Sequence, residues 1–245
     1  MYYALRDMDS DGILYVVATP IGNLKDITLR AIEILREVDF VVAESSARAL
    51  KLFNHFEIKK SIISINSYNE ERKAKSIAEQ LWRGKTCALI TGAGTPCISD
   101  PGNFIVRACY EMGVTVRAVP GPSAVISAVS ISGLFAAHFM FFGFLPLKKG
   151  KQRKVLREFS TLPYPIVFYE SPRRVAETLK TIYEVLGNRQ TVVLKEITKV
   201  YESVLRGDLE ELIRIFPEGE IKGEFVIIVE GKLKNMPCDP ISVDY

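Results

Sequence analysis

At 245 residues, 48% of them hydrophobic and 25% charged, the chain has the make-up of a globular protein with room for one large or two small domains. A net charge of +3 is too small to establish a nucleic-acid partner by itself. Four cysteines (Cys87, Cys97, Cys109, Cys238) without a Cys-x-x-Cys pair, and only two histidines, exclude the usual patterns of a zinc site or a disulfide scaffold and favour reduced thiols in a cytoplasmic protein.

Arg6, Asp7, Asp9 and Asp11 precede the first apolar run, which is not the pattern of a secretory signal. Residues 13–17 read as a short buried strand, closed by Ala18-Thr19-Pro20-Ile21-Gly22-Asn23-Leu24. Past Asp26, helical spacing of Ile27, Ala31, Ile34, Leu35 and Val38 predicts a helix with Thr28 near its start. Strands are expected at 39–43, 62–65, 87–90 and 114–119, and helices at 50–56, 69–83 and 104–112. That alternation predicts an α/β fold with a largely parallel sheet covered on both faces. Residues 123–145 contain no charge, but Ser127, Ser130, Ser132 and Gly133 interrupt them, so a helix followed by a buried strand (139–142) is expected rather than a membrane span. Residues 143–150 read as a hinge between two α/β domains, 1–142 and 143–245. The second domain is read as helix 151–159, strand 166–169, helix 175–186, strand 191–195, helix 209–216, strand 225–229 and a loose tail from about 234.

The stretch after 87–90 says most about chemistry: Thr91-Gly92-Ala93-Gly94-Thr95-Pro96-Cys97-Ile98-Ser99-Asp100-Pro101-Gly102. Gly92 and Gly94 permit positive φ and close backbone approach, while Pro96 and Pro101 stiffen the loop. A rigid loop at the carboxyl end of a strand is where open α/β sheets hold small ligands. It carries neither Gly-Lys-Ser/Thr nor the third glycine of a dinucleotide fingerprint. Glu44, Asp100, Glu170, Glu196 and Lys199 are the candidates for proton handling, being polar groups near strand ends or loops. His55 reads as a surface histidine and His138 as a core one. Lys148, Lys149, Lys151, Arg153 and Lys154 put five cations within seven residues, a run that suits RNA phosphates or a solvated helix start. Arg173, Arg174, Lys195 and Lys199 extend it.

Several of these stretches resemble the tetrapyrrole methylase superfamily, in the branch that modifies ribosomal RNA. They are 18–28, Gly94-Thr95-Pro96-x-Ile98-Ser99-Asp100-Pro101-Gly102, Val119-Pro120-Gly121-Pro122-Ser123-Ala124, and Gly143-Phe144-Leu145-Pro146. Phe168-Tyr169-Glu170-Ser171-Pro172-x-Arg174 and Glu196-x-Thr198-Lys199 followed by Arg206-Gly207 continue the likeness. The resemblance implies two α/β domains, S-adenosylmethionine in the cleft between them, a homodimer, and 2′-O-methylation of a cytidine in 16S rRNA of the small subunit. It implies cofactor contacts from Ile21, from Gly92, Ala93, Gly94, Thr95 and Pro96, and from Ser123 and Ala124. Methylation of a tetrapyrrole or diphthamide precursor, and a non-catalytic cofactor- or RNA-binding role, stay open beside it. Two departures stand out. The family usually has Ser-Asp-Ala-Gly-Thr-Pro where this chain has Thr91-Gly92, and Ala-Glu-Asp-Thr-Arg where it has Ala43-Glu44-Ser45-Ser46-Ala47-Arg48.

Overall fold

The computed structural model describes residues 12–216 and 222–232; the tail expected from about 234 lies outside them. Contacts divide the chain into two compact units, one up to Ser123 and one from Ala124. The division falls before the expected hinge at 143 because the apolar helix α5 (Ala124–Ser132) packs on β10 (Phe225–Val229), the last strand of the second unit.

The first unit is a five-stranded sheet of β1 (Ile13–Val17), β2 (Phe40–Ala43), β3 (Ser61–Ser64), β4 (Cys87–Ile90) and β5 (Thr115–Val119). Its order is β3-β2-β4-β1-β5 and every pairing is parallel. A sheet covered on both faces needs apolar side chains pointing both ways, and β2 (FVVA) and β4 (CALI) are buried at every position. Helices α1 (Leu29–Glu37) and α2 (Ser46–His55) place Ala31, Leu35, Ala49, Leu52 and Phe53 in one core layer. Helices α3 (Glu70–Trp82) and α4 (Asn103–Glu111) place Ala74, Ile77, Leu81, Ile105 and Cys109 in the opposite layer. The local start signals are physical: the Thr28 and Ser45 side chains accept from the amides of Ala31 and Arg48, satisfying donors that each helix leaves open.

The second unit is a mixed sheet, β6 (Met140–Phe144), β7 (Ile166–Glu170), β8 (Gln190–Lys195), β9 (Ser203–Asp208) and β10, in the order β6-β7-β10-β8-β9. Only β6 and β7 run parallel; the other neighbours are antiparallel. Helices α6 (Lys149–Glu158), α7 (Val175–Leu186) and α8 (Leu209–Ile215) complete it, and α8 opens with a reciprocal capping box between Asp208 and Glu211. Strand β9 was not among the sequence expectations. It is an edge strand with little apolar content, SVLRGD, so it lacks the hydrophobic run that marks a central strand. No helix among the described residues is long and apolar enough to cross a membrane.

Candidate functional site

In the first unit the loops after β2 and β4 leave toward helices on opposite faces, α2 and α4. Such divergence opens a crevice at the carboxyl edge of a parallel sheet. The loops after β1, β4 and β5 are stitched along that edge. Thr19 and Gly94 exchange backbone hydrogen bonds, N–H to C=O at 2.9 Å in both directions. The Ala18 amide donates to the Val119 carbonyl at 3.1 Å. The Thr19 hydroxyl donates to the Thr91 carbonyl at 3.2 Å, and the Thr95 hydroxyl to the Pro122 carbonyl at 3.3 Å.

Gly94 sits at φ +79°, where a Cβ would lie 3.3 Å from Ile21 Cγ2 and 3.7 Å from the Pro122 oxygen. Gly92 is different: its φ is outside the left-handed region, so the freedom expected of it is not used there. The structure thus brings Ile21, Gly92, Ala93, Gly94, Thr95 and Pro96 onto one rim, with Ser123 at the end of the β5 loop. Ala124 opens α5 and falls in the second unit.

Residues 18–24, 91–102 and 119–123 contain no lysine or arginine. These loops therefore offer backbone groups and small side chains, with one cation, Arg48, reaching in beside Gly92 from α2. The Oδ2 atom of Asp26, in the 3-10 turn Leu24–Asp26 after the β1 loop, is buried and accepts no hydrogen bond among the described residues.

Two of the sequence candidates meet at this edge. Glu44 follows β2, and its Oε2 accepts from the Thr91 hydroxyl at 3.0 Å and the Gly92 amide at 3.3 Å. Asp100 lies near enough to feel both. Its carboxyl is pushed above the ordinary aspartate range by burial first and by the charge of Glu44 second, against the opposing pull of the Thr91 hydroxyl and Arg48. Sequence reasoning did not find Thr91 or Arg48 as partners here, because the chain positions alone do not show which strand-end loops converge. Arg48 also connects the two departures from the family pattern. A Cβ on Gly92 would come within 2.6 Å of Arg48 Nη1 and 2.9 Å of its Cδ. The guanidinium thus lies against the Gly92 backbone, so that the two departing segments are neighbours in space.

The remaining candidates lie in the second unit, and their surroundings differ. Glu170 is 2% exposed. Its oxygens accept from the Ser171 amide and the Thr178 hydroxyl, both at 2.7 Å, and Arg174 lies 3.3 Å away. Arg174 also donates to the carbonyls of Leu145 (2.9 Å) and Pro146 (3.3 Å). Glu170 and Arg174 therefore tie the end of β7 to the segment leaving β6, and buried Glu170 has neither oxygen left over to act as a base.

Lys199 bridges Glu196 at 2.8 Å and Glu224 at 3.0 Å. Burial alone would lower the Lys199 ammonium, but these two carboxylates outweigh it and hold it above its ordinary value, so it stays charged and is a poor base. In the basic run, Lys149 pairs with Glu177 and Arg153 with Glu184, the latter at 2.7 Å. Lys148, Lys151 and Lys154 are exposed and make no ion pair among the described residues. His138 is exposed and stacks edge-on against Tyr164, contrary to the core position expected for it. No cluster of three or more metal-ligating side chains occurs among the described residues. Burial pushes the Cys97 thiol up to about 11, which leaves it a poor nucleophile.

Residues 13–213 match the family model described as Tetrapyrrole (Corrin/Porphyrin) Methylases. The chain belongs to this family. Among curated relatives, a protein of Halalkalibacterium halodurans named ribosomal RNA small subunit methyltransferase I is 44% identical over 92% of this chain and 78% of its own length. A protein of Thermotoga maritima with the same name is 42% identical, covering 90% of this chain and 99% of the relative. Among solved structures, a diphthine synthase superimposes with a TM-score of 0.68 at 18% identity over 90% of both chains. The uroporphyrin III C-methyl transferase of Thermus thermophilus gives 0.62 at 19%, over 89% of this chain and 97% of that one. At such identity these two report the fold alone, which is that of the tetrapyrrole methylase family.

Proposed function

We propose that this chain transfers a methyl group from S-adenosylmethionine to the 2′-hydroxyl of a cytidine ribose in 16S rRNA, as a homodimer in the cytoplasm. The observation that carries the reading is a rim of small-residue loops without lysine or arginine of their own, in a chain whose relatives are named as small-subunit rRNA methyltransferases. When bound, S-adenosylmethionine supplies an electrophilic methyl group on a sulfonium sulfur. The loop residues Ile21, Gly92 to Pro96 and Ser123, with Ala124, hold it through backbone groups and close packing, so that rate comes largely from positioning. Glu44 Oε2 is occupied by Thr91 and Gly92, whereas its Oε1 accepts no hydrogen bond among the described residues. That free oxygen is the acceptor we assign to orienting the ribose hydroxyl and taking its proton. Asp100, its carboxyl raised by burial and by the charge of Glu44, stands beside that acceptor rather than acting as a second base.

Exposed Lys148, Lys151 and Lys154 are the side chains assigned to RNA phosphates, since Lys149 and Arg153 are paired with α7. The test is to map 2′-O-methyl sites on 16S rRNA in cells with and without the chain, beside methyl transfer to naked 16S rRNA and to small subunits. Loss of one cytidine mark supports the reading, and unchanged marks with no transfer to either RNA substrate overturn it. Replacing Lys148, Lys151 and Lys154 with alanine should flatten the salt dependence of RNA binding by about 0.7–0.9 log unit for each phosphate no longer neutralised. An unchanged slope removes the run from the interface.

A further inference from the structure

The loop joining β8 to β9, residues 196–202, combines features that none of the chemistry above uses. Two of its non-glycine residues occupy the left-handed region, Glu196 at φ +53° and Thr198 at +68°. For a β-branched threonine that is a genuine outlier, and such strain persists only where surrounding contacts over-determine it. Here they do. The Glu196 amide donates to the Glu224 carbonyl, and the Glu224 amide returns a bond to Glu196 Oε1 at 2.8 Å. Lys199 clamps both carboxylates, the Thr198 amide donates to Glu202 Oε2 at 2.6 Å, and the Glu202 amide to the Lys199 carbonyl. Ile197 is buried beneath, and the Thr198 hydroxyl is buried without a partner among the described residues, a further cost that the loop tolerates.

This clamp supports an exposed tip. Val200 is 93% exposed and Tyr201 77%, separated from strained Thr198 by Lys199 alone. Rigid backbone beneath a bare aromatic ring is an expensive arrangement for a solvated turn. Of the acids nearby, Glu196 and Glu224 share Lys199, and exposed Glu202 accepts from the Thr198 amide. Arg206, on the edge strand that follows, is exposed. A protein-docking patch needs about 800 Å² per partner, far more than two side chains offer. One ring on a stiff support matches a single unpaired nucleobase, which stacks on aromatic faces without needing base-specific contacts.

We infer that the 196–202 loop is a pre-organised platform on which Tyr201 stacks an unpaired base of the RNA substrate. The inference rests on the RNA-methylation reading and deepens it. Tyr201 is a substrate-positioning residue and takes no part in the chemistry. Tyr201→Ala should weaken binding of a short unpaired RNA oligonucleotide by roughly 5- to 150-fold, the range set by removing one base–aromatic stack. It should raise KM for rRNA with little change in kcat, and leave S-adenosylmethionine affinity unchanged. Tyr201→Phe should restore most of the binding, since the ring and not the hydroxyl does the stacking. Tyr201→Trp, made with Trp82→Phe so that one indole remains, should show fluorescence quenched by the unpaired oligonucleotide and far less by the same sequence in a duplex. Thermal unfolding checks that each variant folds. If the wild-type chain binds and methylates RNA but Tyr201→Ala does so equally well, or Phe fails to rescue, the platform is wrong and the enzymatic reading stands. Binding of a protein component of the subunit lost in Tyr201→Ala, with RNA binding intact, also overturns it. A wild-type chain that neither binds nor methylates RNA overturns both.

Discussion

Glu44 and Glu170 are the same residue type at the same kind of place, the carboxyl end of an interior strand of a five-stranded sheet. Glu44 is half-buried and uses one oxygen, Oε2, to hold Thr91 and the Gly92 amide. Glu170 is buried, has both oxygens engaged, and sits against the Arg174 guanidinium. What separates them is not position on the sheet but the number of donors their neighbours supply. A buried carboxylate with both oxygens engaged organises backbone; one with an oxygen left over can meet a ligand. The same accounting separates Lys199, clamped between two glutamates, from Lys151, which has no ion-pair partner among the described residues.

Removing the saturated carboxylate should have the largest effect on stability. Glu170→Ala strands Arg174, the Thr178 hydroxyl and the Ser171 amide in a buried setting, and breaking one side of such a pair costs about 3–5 kcal/mol. Urea denaturation should show that loss in the midpoint, whereas Glu44→Gln should move it by less than about 1 kcal/mol and instead lower methyl transfer. If the two variants are equally destabilised, the contrast between a structural and an available carboxylate does not hold.

Gly94→Val comes next. A valine at φ +79° costs about 1–2 kcal/mol in backbone strain alone, and its Cβ meets Ile21 and the Pro122 carbonyl before any ligand is considered. Calorimetry should show S-adenosylmethionine affinity reduced by about tenfold or more, with RNA-backbone binding retained. Unchanged affinity removes the β4 loop from the cofactor site.

A smaller effect tests the coupling between Glu44 and Asp100. A raised carboxyl means the folded chain keeps its proton longer than the unfolded chain does. Below the ordinary aspartate value both states are protonated and the full advantage is present; it is lost as pH climbs through the raised value. Asp100→Asn should therefore lose less stability than wild type between acid and neutral pH. Glu44→Gln should bring the Asp100 midpoint down in a carbon-13 titration, though not to the ordinary value, because burial remains the larger cause. A midpoint insensitive to Glu44 places the two groups apart.

Much of this organisation was readable from residue order. α7 and β10 lie at their expected residues because their apolar spacing is long and their ends are marked, Gly187 closing the helix. The parallel first sheet followed from short apolar strands alternating with helices. Strand β9 did not, since an edge strand buries one face at most and SVLRGD carries little pattern. Nor did the division at Ser123, which depends on α5 choosing β10 as its partner far along the chain. The place of the 91–96 loop, at the end of β4, followed from the apolar run before it, and Gly94 makes the close approach its residue type allows. The roles of Glu170 and Arg174 were not: a glutamate at a strand end looks the same whether its donors, from Thr178 and Arg174, converge on it or not. The basic run likewise showed five cations, but only the fold shows that Glu177 and Glu184 claim two of them.

The smallest expected effect lies where this chain departs from its relatives. Gly92 has a φ that an ordinary residue adopts, so Gly92→Asp meets no backbone strain. What it meets is Arg48, whose Nη1 and Cδ lie within 2.6 and 2.9 Å of the new Cβ. A long exposed side chain can swing aside, and the guanidinium can then pair with the new carboxylate, an exposed pairing worth about 0.2–1 kcal/mol. Against that gain, a third carboxylate joins Glu44 and Asp100 and drives the Asp100 carboxyl further up. The net change in stability should stay within about 1 kcal/mol of zero, and methyl transfer decides what the site lacks. If turnover rises in Gly92→Asp and falls in Arg48→Ala alone, the site gains from an added acceptor at position 92 and uses the Arg48 guanidinium separately. If Gly92→Asp lowers turnover and Arg48→Ala on top of it restores nothing, the loss comes from crowding of negative charge around Glu44. In that case adding Asp100→Asn to Gly92→Asp should recover it.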